Sequence, residues 1–142
     1  MKIIEIELKN TDRKTWKCQR GAAIVEFALA LPLLLLFLAG VVEFGRAFYT
    51  WSLMSEAIRE GARAGIVELD NATAINVATQ TTNQFLQNVN LTGGIVNASV
   101  VQISGINMLD VQASFLFQPF GLSGVIPTFT LQAKSFMRQE GQ

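Results

Sequence analysis

The chain has 142 residues, with 11 Lys and Arg against 11 Asp and Glu, one Cys and no His; half of it is hydrophobic and only 15% is charged, where about 25% is usual for a soluble domain. Without histidine there is no Ser-His-Asp or Cys-His catalysis, and the commonest zinc ligand is missing; one cysteine makes no intrachain disulfide and no thiolate cluster. The composition points away from an enzyme, and no cofactor or metal site is expected.

Charge is unevenly placed. Residues 1–21 carry six bases (Lys2, Lys9, Arg13, Lys14, Lys17, Arg20) against Glu5, Glu7 and Asp12, while the rest of the chain holds five bases against eight acids. A basic head on a mildly acidic body that lacks a basic patch argues against nucleic-acid binding.

Behind the head, residues 27–42 hold no charge and include the run Leu33-Leu34-Leu35-Leu36-Phe37-Leu38. With residues 21–25 the apolar stretch reaches 22 residues, broken only by Glu26. At ~1.5 Å per residue it crosses a hydrocarbon core of ~30 Å, so the lipid bilayer is the first expected partner. Five bases fall between residues 9 and 20, and only Arg46 lies close on the other side. The positive-inside rule then places the N-terminus in the cytoplasm and residues 45–142 outside. No small-x-small cleavage site follows the apolar run, which ends Gly40-Val41-Val42-Glu43-Phe44, so a secretory signal peptide is not expected. Cys18 lacks the apolar residues that precede a lipid-anchored cysteine and reads as a plain thiol.

Glu26 is the informative residue. A carboxylate in an apolar helix costs about 2.5–3.5 kcal/mol at the bilayer centre and less near its edge, so a partner is expected. Cleavage after Gly21 would give Ala22 a new α-amine of pKa near 8, which could neutralise Glu26 on the same or a neighbouring subunit. The alternative is a glutamate that snorkels to the interface. The pattern Arg20-Gly21-Ala22-Ala23-Ile24-Val25-Glu26-Phe27 resembles the class III signal of type IV pilins and pseudopilins. That resemblance makes Gly21, Ala22, Glu26 and Phe27 the prepilin-peptidase processing residues. From Arg20 to Gly65, through GAAIVEFALALPLLLLFLAGVVEFGRAFYTW and EAIREGARAG, the chain resembles the TadE-like family, minor pseudopilins of the tight-adherence (Flp) pilus assembly system. It implies a bacterial inner-membrane protein of single-pass topology with an extracytoplasmic C-terminal part. Its expected partners are a prepilin peptidase and other pseudopilins or pilins.

Without a strong breaker before Gly65, the helix is expected to run for about 40 residues with a kink at Pro32. Phe48, Tyr49 and Trp51 suit an outer aromatic belt. Glu43 and Arg46, three apart, suit either a local salt bridge or a contact to another subunit. Residues 52–65 become amphipathic, and Ala57, Gly61 and Gly65 form a ridge of small residues. That ridge fits packing between subunits or on the chain's own tail, the latter with Gly65 as helix C-cap.

In the tail, Asp70 or Asn71 can cap a helix to about Val89, with Ile75, Ala78, Thr82, Phe85, Leu86 and Val89 on one side and Gly93-Gly94 ending it. Strands are expected over residues 99–104, 109–117 and 129–134, with a turn at Gly105-Ile106-Asn107 and a longer loop from Pro119 to Pro127. Asp110 is the tail's one carboxylate between Asp70 and Glu140, so paired-acid catalysis lacks a second member. The expected fold is α+β and pilin-like, a long N-terminal transmembrane helix extending into a domain with a short helix and a three-stranded antiparallel sheet. Its expected parts are a basic cytoplasmic leader (1–21), a transmembrane and amphipathic helix (22–65) and an exported α+β domain (66–142). Two functions fit: a processed pilus-assembly subunit, or an unprocessed single-pass anchor displaying an extracytoplasmic binding domain.

Overall fold

The computed structural model describes residues 3–121, 124 and 126–139, with side chains from Gly21 onward; the charges of the basic head, Cys18 and Glu140 lie outside the described side chains. The elements run α1 (Ile3–Ile66), α2 (Asn71–Asn88), β1 (Ile95–Ile103), β2 (Ile106–Phe117) and β3 (Phe129–Arg138). This is the expected α+β arrangement. The chain forms two compact units, Met1–Val41 and Val42–Gln142.

The first unit is the N-terminal part of α1. The helix reaches back to Ile3 and continues through Pro32, so it is longer than the sequence pattern suggests. Gly21 alone does not break it, because a single glycine lowers helix stability by only ~1 kcal/mol. Proline removes one backbone donor, a loss that membrane helices tolerate. From Gly21 on, the helix is long and apolar enough to span a membrane.

The second unit is built where α1 becomes one-sided. Met54, Ala57, Ile58 and Ala62 are buried together with Ala78 and Leu86 of α2 and with Leu109, Val111, Ala113 and Ala133 of the sheet. The sheet has the order β1-β2-β3 and is antiparallel throughout, with Val111 facing Ala98 on one side and Ser135 on the other. Alternation along β2 turns Leu109, Val111, Ala113 and Phe117 to the helices, where they are buried. Fully burying each larger aliphatic side chain is worth ~1.5–3 kcal/mol, more than a cap or surface ion pair supplies. The helix-to-sheet layer therefore dominates the unit's stability.

Small residues bring α1 and α2 together. A Cβ added at Gly61 would run into Thr82 Oγ1 and lie 2.6 Å from the Ala78 carbonyl oxygen; one at Gly65 would lie 2.6 Å from Leu109 Cδ2 and 2.8 Å from the Ala74 carbonyl oxygen. The facing residues on α2 are Ala74, Ala78, Thr82 and Leu86, all buried and four apart, while Ile75 and Phe85 are only partly buried. Thus the Ala57–Gly61–Gly65 ridge packs on the chain's own second helix and sheet. Gly65 is no C-cap, since α1 continues to Ile66.

Helix and hairpin ends follow local chemistry. Asp70 Oδ2 caps α2 by accepting from the Thr73 amide at 3.0 Å and the Thr73 hydroxyl at 2.9 Å. The helix stops at Asn90, whose φ is 59°, with the Leu91 amide returning to the Leu86 carbonyl at 2.8 Å. The stop therefore precedes Gly93-Gly94 and uses asparagine's tolerance of the left-handed region. In the β1–β2 hairpin, Ser104 (φ 54°) and Gly105 (φ 79°) form the two-residue turn, and Ile106 already pairs with Ile103. Ile106 and Asn107 belong to β2, because a turn with two positive φ values matches strand twist.

Two outcomes follow from this packing. Gly61→Ala gains helix propensity, up to ~1 kcal/mol, but overpacks a backbone carbonyl, which typically costs ~1–3 kcal/mol. Denaturant unfolding of the detergent-solubilised protein should show a net loss of stability, with a larger loss for Gly61→Leu. The Thr73 amide and hydroxyl hold the Asp70 carboxyl below its ordinary range. A lowered folded pKa stabilises fully above the ordinary aspartate value and is lost as pH falls through the folded value. Asp70→Asn keeps the acceptor but should remove this part of the acid-side fall in melting temperature.

Candidate functional site

Two places concentrate the polar chemistry of α1. The first is the segment around Gly21. Gly21, Ala22, Glu26 and Phe27 occupy successive turns of the helix and all four are exposed. A side chain at Gly21 would meet no described atom within 4 Å, and among the described residues no base pairs with Glu26. Further along the same unit, Phe27, Ala30, Leu31, Leu33, Leu34 and Phe37 line a shallow apolar groove of about 400 Å³. Ala30 is the smallest of these residues, one turn from Phe27 and two turns from Phe37.

The second place is Glu43, the first charged residue after the apolar run. It is buried, with 8% of its surface exposed, a poor place for a carboxylate unless each oxygen is satisfied. Both are. Oε1 accepts the backbone amides of Phe120 and Gly121 at 2.9 and 3.0 Å. Oε2 takes Arg46 Nη1 at 2.7 Å, one turn on. The guanidinium carbon of Arg46 in turn sits 5.4 Å from the centroid of the Phe117 ring, within cation–π range. Phe117 lies against Phe129, its ladder partner, at 5.3 Å between centroids. One carboxylate thus ties the first turns of α1 beyond the apolar run to the loop that follows β2.

The same helix then holds β3: Trp51 Nε1 donates to the Gln132 carbonyl at 3.2 Å. Trp51 is therefore a strand-docking residue as well as the last ring in the row Phe44–Phe48–Trp51, whose centroids are 6.5 and 6.0 Å apart. Arg46 meets Phe117, and the Gly65 position meets Leu109, so α1 runs opposite to β2 and brings the β2–β3 loop to the Glu43 end. At the other end, Gln139 Nε2 donates to the Glu68 carbonyl at 2.6 Å.

The sheet's outer face carries an ion pair. Asp110 is buried, with Oδ2 taking Lys134 Nζ at 3.0 Å and Gln112 Nε2 at 2.8 Å; Lys134 Nζ lies 4.4 Å from the centroid of Phe136. Asp110 Oδ1 has no partner. Among the described residues no three His, Cys, Asp or Glu gather as a metal site.

The sequence-predicted site residues thus fall into three sets. Gly21, Ala22, Glu26 and Phe27 are free on the helix. Glu43 and Arg46 form the predicted i,i+3 salt bridge, and Glu43 spends its other oxygen on a loop 77 residues away. Ala57, Gly61 and Gly65 are buried in intrachain packing. The loop amides of Phe120 and Gly121 were beyond sequence reasoning, because backbone donors leave no residue-type signal.

Residues 21–63 match the family model described as TadE-like protein. The match begins at Gly21 and covers Ala22, Glu26 and Phe27, the apolar run, the Glu43–Arg46 pair and Gly61. No curated protein and no solved structure matches the chain. The TadE-like match over these residues points to a role in Tad/Flp pilus assembly, and the apolar helix is one able to span a membrane.

Glu43→Ala leaves the Phe120 and Gly121 amides without their acceptor. Hydrogen exchange followed by mass spectrometry should show faster exchange in peptides containing these two residues, with strand protection in β2 unchanged. Equal exchange in wild type and variant would show that the carboxylate does not hold the loop. Glu43→Gln, which keeps one carbonyl oxygen, should give an intermediate rate.

Proposed function

We propose that this chain is a membrane-anchored, pseudopilin-like component of tight-adherence (Flp-type) pilus assembly, processed after Gly21 by a prepilin peptidase, and that it acts by subunit association rather than catalysis. The reading is supported above all by one coincidence: the TadE-like match starts at Gly21, directly after Arg20, where the basic head of the sequence gives way to the apolar run. In this reading residues 1–21 are a cytoplasmic leader, residues 22–42 cross the bacterial inner membrane, and the domain that closes on residues 43–65 is displayed outside.

Association within a bilayer gains nothing from apolar burial alone, because lipid tails are as apolar as leucine. Selectivity has to come from shape and from polar contacts. The Phe27–Phe37 groove, with Ala30 its smallest residue, offers shape for a neighbouring helix. Glu26 offers the polar contact: in a low-dielectric setting a carboxylate strongly favours a nearby cation, and the Ala22 α-amine created by cleavage would be one. The other pseudopilins or pilins of the system are the proposed neighbours. The Glu43–Arg46 pair is closed within the chain, so it is not assigned to a second subunit.

The intact mass of protein extracted from membranes of peptidase-competent cells should correspond to a chain starting at Ala22. Recovery of the full-length chain alone would overturn processing and favour an unprocessed single-pass anchor displaying a binding domain. Glu26→Ala should leave membrane insertion unchanged but reduce piliation; normal piliation in that variant would remove Glu26 from the mechanism.

A further inference from the structure

Among the described residues Phe120 is the most exposed large hydrophobic one, at 91%. A ring so placed in a loop is unusual in water, yet the backbone beneath it is firmly held. The Phe120 and Gly121 amides end on Glu43, Glu43 is balanced by Arg46, and Pro119 is buried. On the helix beside this clamp, Phe44 and Phe48 are 74% and 60% exposed. The sequence from Val111 to Ala133, which contains the loop, has no charged residue. These features share one location: Glu43 is one residue past the charge-free run that ends at Val42.

We propose that the Glu43-clamped part of the β2–β3 loop is a second membrane contact, in which Phe120, together with Phe44 and Phe48, inserts into the outer interface of the bilayer that residues 22–42 cross. This rests on the reading of that segment as the membrane span. The occupant is lipid because continuity is covalent: groups hydrogen-bonded to Glu43 are within one side chain of the end of the apolar run. The clamp also makes the loop fit for that environment. Backbone N–H groups without partners are costly at a membrane, and Glu43 satisfies the Phe120 and Gly121 amides, while Arg46 offsets the charge that does so. Aromatic side chains are the residues that anchor proteins at this depth.

The test uses the full chain with Cys18→Ser, reconstituted at low protein-to-lipid ratio in phosphatidylethanolamine–phosphatidylglycerol vesicles. A nitroxide is placed at Phe120→Cys, at Gln102→Cys near the opposite hairpin end as the aqueous reference, or at Phe37→Cys as the span reference. Power saturation reads the ratio of collisions with oxygen to collisions with a water-soluble nickel chelate. The ratio at position 120 should be several-fold higher than at 102, and Glu43→Ala should lower it towards the value at 102. A ratio at 120 equal to that at 102, with a lipid-like value at 37, would overturn the loop contact and leave the span intact. An aqueous value at 37 would overturn the span reading and this inference with it. A label at 120 shielded from both reagents would assign the loop to a second protein copy and overturn the lipid contact. A ratio unchanged by Glu43→Ala would overturn the clamp's part in it.

Discussion

A helix surrounded by lipid is apolar on every side, and a helix against a domain is apolar on one. α1 has each of these patterns in turn, and the change falls at Glu43. Up to Val42 its described side chains carry no charge apart from Glu26; beyond it, Glu56, Arg59, Glu60 and Arg63 are exposed while Met54, Ala57, Ile58 and Ala62 are buried. The domain forms only because the second half of the helix has a dry side. On that side Gly61 and Gly65 let the backbone of α2 approach closer than any side chain would permit.

This division explains why Glu43 is built as it is. A carboxylate where a helix passes from one regime to the other has to be exposed to water or fully satisfied. Here it is satisfied, by two loop amides and a guanidinium, and its burial therefore links the start of the domain to the end of β2. Glu26, by contrast, has no described partner, and that asymmetry separates the roles of the two glutamates. One is used within the fold. The other is exposed on the helix.

Much of this was legible in the residues. The alternation Leu109, Val111, Ala113, Phe117 marked β2 because period two on a half-buried sheet is a strong signal, and a cap at Asp70 or Asn71 followed from their short acceptor side chains, of which the structure uses Asp70. Less legible were features set by backbone. Asn90 ended α2 ahead of the two glycines that look like the stronger breakers. Ser104, which carries no glycine signal, took one of the two positive φ values of the hairpin. The Ala57–Gly61–Gly65 ridge could be seen, but spacing alone could not say whether its partner was another subunit or α2. The contacts of Glu43 and Trp51 with main-chain groups more than 70 residues away lay beyond any local pattern.

The changeover at Glu43 can be measured directly by single-cysteine scanning of residues 27–62 in a Cys18→Ser chain, with a membrane-impermeant maleimide applied to native membranes. Residues 27–42 should be protected at every position, whereas positions beyond 43 should label with a three-to-four-residue period, strongly at Glu56, Arg59 and Glu60 and weakly at Met54, Ala57 and Ile58. A three-to-four-residue labelling period already present within residues 27–42 would identify that segment as a helix against water and contradict the account.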